Sequence, residues 1–172
     1  MIVRSRLLQF TTLLGALAGC RHDLPWPPTP ASLHWGEDAC DGCRMIVSDQ
    51  RFAAELCARN GAVERYDDLG CLLERHGDSL DPAGVFVRDF GADRWLRGDT
   101  ALVLHAPGRI ASPMGHGYAA FASAADAEAA ARNEPAATIM RLSELLQLGG
   151  SRAAVPEPDS AVNHRSKGNE NG

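Results

Sequence analysis

The sequence predicts an α+β fold made of two similar small units. Short apolar runs of strand character flank a turn signal at Asn60-Gly61, and an amphipathic segment with capping residues at both ends follows them. A similar order of runs recurs in the second half of the chain. We therefore expect a folded domain over residues 37–149, divided into subdomains of about 37–92 and 93–149.

The first unit opens with strand-like residues and a hairpin. Arg44–Ser48 is a predicted short strand. Phe52–Ala58 and Val63–Tyr66 flank Asn60-Gly61, and both turn residues tolerate positive φ, so these runs predict a β-hairpin.

A helix and a further strand complete this unit. Asp67 or Asp68 supplies the N-cap, the helix continues through Arg75, and Gly77 ends it. Val85–Phe90 is the next predicted strand. The predicted order is therefore strand, hairpin, helix, strand.

The second half repeats this order loosely and suggests a pseudo-repeat, although the two halves do not match closely in sequence. An alanine-rich helix is expected over Ala124–Arg132, because alanine has the highest helix propensity. A last turn of helix is expected from a cap at Ser143 to Gly149-Gly150. The predicted strands are Arg94–Leu96, Ala101–His105, Tyr118–Phe121 and Thr138–Met140.

The amino terminus has the pattern of a lipoprotein signal peptide over residues 1–19. A basic start is followed by the apolar run Leu7–Leu17 and then by Ala18-Gly19-Cys20, in which Cys20 is the expected acylated first residue. The run is too short to cross a hydrocarbon core of about 30 Å. We therefore expect a lipid-anchored protein of the periplasm, and Arg21 after the cysteine favours the outer membrane.

Two segments outside the domain lack periodic apolar residues. Residues 20–36 are rich in proline and predict a flexible, extended tether between lipid and domain. In it, Trp26 and Trp35 rest either on the membrane surface or on the domain. Residues 150–172 combine proline, serine, asparagine and charge with almost no apolar residues, which predicts a disordered tail.

The net charge of −5 at pH 7 limits the class of partner. The chain is acidic and has no run of basic residues, so a nucleic acid is not an expected partner. The acidity is otherwise ordinary for a protein surface and does not by itself indicate a cationic cargo.

The densest chemical signal is the segment that contains Cys40, Cys43 and Met45. Thiolate and thioether sulfurs are soft ligands that select Cu(I) over harder divalent ions. Zn(II) instead prefers four ligands, usually without methionine. If this segment is extended, Cys43 and Met45 point to the same side, because strand side chains alternate.

Other interpretations of these residues remain open. Cys40 and Cys43 are spaced like a thioredoxin-type redox pair, but such a pair opens a helix, and the residues that follow are strand-like. The same two cysteines also fit a structural disulfide, and Met45 fits an ordinary core position. A redox pair would make the protein a thiol–disulfide oxidoreductase.

A second signal is the segment Pro113-Met114-Gly115-His116-Gly117. Glycines beside Met114 place its thioether on a bendable loop within reach of a metal, and His116 adds a borderline ligand. His116 alone is more often a surface residue than a ligand. Met140, between Ile139 and Arg141, is an expected core residue.

The remaining two cysteines, Cys57 and Cys71, lie among apolar residues, and we expect a structural role for both. They are either buried thiols or a disulfide. Such a disulfide would close a loop of about 15 residues and contribute about 3 kcal/mol in the chain-entropy model.

The ordered set of motifs over roughly residues 37–148 resembles the NosL family, the lipoproteins associated with nitrous oxide reductase. The resemblance implies two ββαβ subdomains and a Cu(I)-binding chaperone without catalysis. It also implies delivery to the tetranuclear copper-sulfide centre of apo nitrous oxide reductase, with an ABC-type assembly system in the membrane. The motifs are Cys40-x-x-Cys43-x-Met45, Tyr66-Asp67-Asp68-Leu69-Gly70-Cys71, Val87-x-Asp89-Phe90 followed by Trp95, and Pro113-Met114-Gly115-x-Gly117 followed by Ala120-Phe121.

Carried over by position, the resemblance assigns Cu(I) ligation to Cys43, Met45 and Met114. Cys40 or His116 would be an exchangeable ligand, and the family pattern does not decide between them. Tyr66 stands where the family often has phenylalanine, a mild departure. The expected function is a periplasmic Cu(I) metallochaperone, and the alternative is the oxidoreductase that would use Cys40 and Cys43.

Overall fold

The structure, a computed structural model, describes residues 25–77 and 80–148. The signal peptide, the acylation site Cys20 and the predicted tail lie outside the described residues. Within them, no helix is both long enough and apolar enough to cross a bilayer. The elements are β1 (Ala54–Cys57), β2 (Val63–Tyr66), α1 (Leu69–His76), a 3₁₀ turn (Pro82–Gly84), β3 (Val85–Arg88), β4 (Trp95–Arg97), β5 (Leu102–His105), β6 (Tyr118–Phe121), α2 (Ala124–Ala131), β7 (Thr138–Arg141) and α3 (Leu142–Gln147).

Two antiparallel sheets organise these elements. The first has the strand order β2-β1-β3-β4, and the second has the order β6-β5-β7. Without β4, the two sheets have the same spatial order, β2-β1-β3 in the first and β6-β5-β7 in the second. In each unit a helix precedes the last of these strands along the chain, α1 before β3 and α2 before β7. The α+β fold of two ββαβ units is therefore confirmed.

Strand β4 lies in a different unit from the one we expected. The sequence pattern places β4 in the second half, but Trp95 pairs with Arg88 and Leu96 pairs with Val87, so β4 is the edge of the first sheet. The connection between β3 and β4 is short, and a short connection joins antiparallel neighbours directly. The first unit thus extends past residue 92, as far as Arg97.

The predicted strand over Arg44–Ser48 is wrong. Ala39 and Ile46 form a single isolated bridge, and Arg44 has a positive φ of 68°. A residue in this left-handed region turns the chain and cannot continue a strand. The segment is therefore a tight loop that ends in one bridge.

The caps of α1 agree with the prediction, while those of α3 do not. Asp68 is the N-cap of α1 and accepts a hydrogen bond from the Gly70 amide, and Gly77 ends the helix with a φ of 63°. Helix α3 begins at Leu142 without a side-chain cap, so Ser143 lies inside it and does not cap it. A buried Leu142 in the first turn anchors that helix by packing instead.

The two sheets share one hydrophobic core. Phe90 donates its amide to the carbonyl oxygen of Ala120 at 2.8 Å, which joins the end of β3 to β6. Full burial of one large apolar side chain contributes about 1.5–3 kcal/mol, so this shared packing dominates the stability of both units. Its largest buried members are Val47, Tyr66, Leu72, Val85 and Val87 from the first unit and Val103, Leu142, Leu145 and Leu146 from the second.

Residues 26–36, which we call the strap, lie against the first sheet. They form no helix or strand, as expected of a tether, but they contact the domain and do not extend away from it. The ring of Trp26 lies 4.0 Å from the guanidinium carbon of Arg59, and that of Trp35 lies 5.6 Å from that of Arg88. Both tryptophans therefore rest on the domain.

Candidate metal centre

Three thiols converge in the first unit. The sulfur atoms of Cys40, Cys43 and Cys71 all lie within 4.8 Å of one another. The first two come from the loop before β1, and Cys71 comes from the first turn of α1. We call this group the cysteine cluster, and all three thiols are free.

The loop that carries Cys40 and Cys43 closes on itself. The amide of Cys40 donates to the carbonyl of Met45 at 2.7 Å, and the amide of Arg44 donates to the carbonyl of Cys40 at 2.9 Å. The positive φ of Arg44 lets the chain return for these two bonds. The turn therefore brings two cysteines three residues apart onto one small loop.

Glycine at position 42 lets this loop approach α1. A Cβ placed on Gly42 would lie 3.0 Å from the Cβ of Cys71 and 3.1 Å from its carbonyl oxygen. Both distances are shorter than an ordinary contact, so a larger residue would push the loop away from the helix. Close packing at Gly42 is what brings the thiol of Cys71 to the other two.

Backbone bonds to β2 fix the position of the loop. The amide of Asp41 donates to the carbonyl of Arg65 at 2.8 Å, and the amide of Arg65 donates to the carboxylate of Asp41 at 2.9 Å. A little further along, the amide of Ser48 donates to the carboxylate of the buried Asp67 at 2.8 Å. Both ends of the loop are therefore held beside the strand that leads into α1.

The three thiols differ in exposure. Cys40 and Cys71 are buried, at 0% and 2% relative exposure. Cys43 is half-buried and, with Gly42, Cys71, Glu74 and Arg75, lines an open pocket of about 330 Å³. Solvent or an incoming ligand thus reaches the cluster from the side of Cys43.

The thiols also differ in acidity. Burial opposes ionisation of Cys40, but backbone hydrogen bonds from Asp67 and from the loop outweigh it and lower the pKa of this thiol. Burial raises the pKa of Cys43 and of Cys71, and the negative charge that Cys40 carries when ionised raises both further. Of the three thiols, Cys40 is therefore the one that most readily loses its proton.

The second sequence signal lies against the same helix. We call residues 112–117 the methionine loop. The buried carboxylate of Asp68, the N-cap of α1, accepts hydrogen bonds from the Ser112 hydroxyl at 2.5 Å and from the Met114 amide at 3.3 Å. The hydroxyl of Ser112 in turn accepts a bond from the amide of Gly117 at 3.0 Å. Asp68 therefore fastens both ends of the methionine loop to the start of α1.

His116 packs onto α1 one residue before Cys71. A Cβ on Gly70 would lie only 2.0 Å from the Cγ of His116, so the ring occupies the space that a side chain at position 70 would take. Its Nδ1 lies 3.8 Å from the carboxylate of Glu74. Its Nε2 is buried and has no hydrogen-bond partner among the described residues.

The two candidate thioethers are exposed. Met45 is 56% exposed and Met114 is 39% exposed, so neither is the core residue that was the alternative for Met45. Met140, by contrast, packs against the core, as expected. A single exposed apolar side chain is ordinary, but both methionines belong to the loops that carry the other candidate ligands.

The structure thus brings Cys40 and Cys43 together with Cys71, and it brings Met114 and His116 to the same helix. Sequence reasoning missed Cys71, which it treated as structural, like Cys57. Cys57 is buried and contacts the carbonyl of Thr29, and its thiol is free, so a disulfide between Cys57 and Cys71 is not formed. Copper ligation by these side chains stays a prediction.

The redox alternative finds little support in the local fold. A thioredoxin-type pair opens a helix, whose amides stabilise the attacking thiolate. Here Cys40 and Cys43 occupy a turn. The thiol with the lowered pKa, Cys40, has no exposed surface, so a substrate cannot reach it directly. A structural disulfide between them is also absent.

The fold is that of a known copper chaperone. The crystal structure of the copper chaperone NosL from Shewanella denitrificans aligns with 70% of this chain and 98% of its own, with a TM-score of 0.57 and 20% sequence identity. At this identity the likeness concerns the fold. No protein-family model and no curated protein matches the sequence.

Proposed function

We propose that this protein is a Cu(I) metallochaperone that binds one ion at the cysteine cluster and passes it to a copper enzyme without catalysis. The observation that carries the proposal is the convergence of three thiol sulfurs within 4.8 Å of one another. The fold of a copper chaperone supports it. Three soft ligands suit Cu(I), whereas Zn(II) prefers four.

Transfer would proceed by ligand exchange at the exposed side of the cluster. Cys43 lines the open pocket, so an acceptor ligand can reach the ion there while Cys40 and Cys71 still hold it from the buried side. The thioethers of Met45 and Met114 are accessible to bind the ion or the acceptor during exchange. His116, with its unpartnered nitrogen, is the remaining candidate ligand.

The proposed acceptor is apo nitrous oxide reductase, and an ABC-type system in the membrane assists assembly of its copper-sulfide centre. The resemblance of the motifs to the NosL family supports this choice. Acylation of Cys20 would keep the chaperone in the periplasm, at the outer membrane. A lipid anchor and a secreted site of action agree with a metal carrier that works outside the cytoplasm.

An anaerobic titration with a colorimetric Cu(I) competitor tests the binding. The protein without residues 1–20 should bind about one Cu(I), and Cys43→Ser or Cys71→Ser should weaken binding at least about tenfold, since that corresponds to only 1.4 kcal/mol. Cys57→Ser is the matched control, because Cys57 is a buried free thiol outside the cluster. Equal affinity in all four proteins would remove the basis of the proposal.

A thiol–disulfide oxidoreductase is the second candidate, favoured by the lowered pKa of Cys40. It predicts insulin reduction that depends on Cys40 and Cys43 but not on Cys71. The chaperone function predicts no insulin reduction. It also predicts that Cys71 matters as much for Cu(I) binding as Cys40 and Cys43 do. Measuring insulin reduction with Cys71→Ser therefore separates the two functions.

A further inference from the structure

The strap runs along the β1–β2 hairpin from its turn towards the cysteine cluster. After the strap, the chain continues directly into Cys40, whose neighbour Asp41 bonds to Arg65 near the far end of β2. The strap therefore joins the turn end of the hairpin to its cluster end. Successive contacts pair Trp26 with Arg59, Thr29 with Cys57, Ala31 with Glu55 and Ser32 with Arg65.

Polar contacts in the middle of the strap hold it in place. The amide of Ala31 donates to the carboxylate of Glu55 at 2.9 Å, and Glu55 has no exposed surface. The guanidinium of Arg65 donates to the carbonyl of Ser32 at 3.0 Å. If the strap lifted away, Glu55 would lose the hydrogen bond from Ala31 and keep only Arg65, whose Nε lies 3.8 Å from its other carboxylate oxygen.

The end of the strap beside the hairpin turn also packs closely against the domain. A Cβ on Gly84 would lie 2.8 Å from the ring of Trp26, so the glycine makes room for the indole. The guanidinium of Arg59 covers the same ring and bonds to Asp81 at 2.9 Å. Trp26 is thus fixed beside the hairpin turn.

Few residues separate this fixed point from the proposed anchor. Cys20 lies six residues before Trp26, and an extended chain covers at most about 3.6 Å per residue, or about 20 Å in total. With Cys20 acylated, Trp26 therefore lies within about 20 Å of the acylated residue, and the turn over residues 58–62 lies beside Trp26. The cluster end of the hairpin lies about 15 Å further along the strands, at about 3.3 Å per residue.

We propose that the strap orients the protein on the membrane, with the β1–β2 turn, Trp26 and Arg59 facing the lipid headgroups and the cysteine cluster facing the aqueous periplasm. This inference rests on the acylation of Cys20 in the proposed function. Tryptophan and arginine both suit a headgroup layer, since each combines an apolar body with a polar tip. An acceptor protein would then reach the cluster from the side away from the lipid.

Energy transfer to labelled lipid tests this orientation on the full-length acylated protein. A donor dye is attached through a bio-orthogonal residue, which spares the thiols, at Ala62 in the turn or at Glu37 near the cluster; both are exposed. The protein is anchored in vesicles of phosphatidylethanolamine and phosphatidylglycerol with acceptor-labelled headgroups. Transfer should be clearly more efficient from position 62 than from position 37.

Strap variants provide the controls. Ala31→Pro removes the amide that binds Glu55 and should make the two efficiencies nearly equal, while Ala31→Ser keeps the amide and the difference. The comparison in the unmodified strap needs no variant, so it stands even if Ala31→Pro fails to fold.

Equal transfer from the two positions, or more from position 37, would overturn the inference, as would failure of the protein to associate with vesicles. Copper titration of the same samples keeps the two proposals separate. Loss of Cu(I) binding with the orientation intact would reject the copper-chaperone role but not the acylation of Cys20, on which the orientation depends.

Discussion

The hydroxyl of Ser112 donates a 2.5 Å hydrogen bond to the buried carboxylate of Asp68, across 44 residues and between the two units. The same carboxylate accepts from the amides of Gly70 and Met114, so it caps α1 and fastens the methionine loop at once. Cys71 lies in the first turn of α1, three residues after this cap. One side chain therefore sets the position of Met114 relative to the cysteine cluster.

Replacement of Asp68 should affect stability and copper binding together. Asp68→Ala leaves three donors without their acceptor, at a cost of about 2–4 kcal/mol, and it releases the methionine loop. Asp68→Asn keeps part of the hydrogen bonding and should lie between the alanine variant and the wild type. Chemical denaturation and Cu(I) competition measure the two effects.

Ser123→Ala is the matched control for Asp68, because Ser123 caps α2 by accepting from the Asp126 amide. It should cost about 1 kcal/mol and leave Cu(I) affinity unchanged. If Asp68→Ala and Ser123→Ala changed copper binding equally, Asp68 would have no special role in the site.

Gly42→Ala should separate the loop from α1. Its methyl group would lie 3.0 Å from the Cβ of Cys71, and relief of such overpacking costs about 1–3 kcal/mol and moves the thiols apart. We expect weaker Cu(I) binding in competition titrations. Gly91→Ala is the control, since its nearest contact is 3.9 Å away; similar affinities for both variants would contradict the prediction.

Gly70→Ala should be destabilising although alanine has the higher helix propensity. The new methyl group would meet the His116 ring at about 2.0 Å, and removal of that side chain in a His116→Gly background should relieve the contact. A double-mutant cycle by urea denaturation should give a coupling energy of at least about 1 kcal/mol. A coupling near zero would show that the methionine loop does not pack on α1.

The pH dependence of stability should carry the signature of Glu64. Burial opposes its ionisation, but hydrogen bonds from Tyr66 and His76 and the charge of Arg75 outweigh burial and lower the pKa of this carboxyl. A carboxyl with a lowered pKa stabilises the fold above its unfolded value, near 4.5, and this contribution disappears as the pH falls through the folded value.

Glu64→Gln should therefore destabilise the protein by about 1–2 kcal/mol at neutral pH and flatten the loss of stability in acid. Thermal denaturation of both proteins from about pH 6 to about pH 2.5 measures this slope. Parallel curves in acid would assign the acid sensitivity to other carboxylates.

Local signals predicted most of the fold. The hairpin at Asn60-Gly61 and the capped helix α1 follow from turn and cap chemistry, which acts over a few residues. The strands β5, β6 and β7 lie where their apolar runs predicted them. The position of β4 at the edge of the first sheet could not be predicted, because a strand of three residues does not indicate which strand it pairs with.

The site was only half predictable. Cys40, Cys43 and Met45 stand out because they are close in sequence, and their soft sulfur atoms indicate copper. Cys71 joins them only through the close approach of Gly42 to α1, a contact between residues about thirty positions apart that no local pattern encodes. The strap was expected to be an extended tether, yet it packs on the domain. Its contacts could not be predicted locally either, since they depend on the buried carboxylate of Glu55 in β1.

The shared core has a consequence for the evolution of the chain. Whatever the origin of the repeated strand order, Leu142, Leu145 and Leu146 of the second half now cover apolar side chains of the first. A gene encoding either half alone would yield a polypeptide whose core side chains are exposed to water. The two halves must therefore be inherited together. The loop that carries Cys40 and Cys43 in the first half depends on the second half for the packing beneath it.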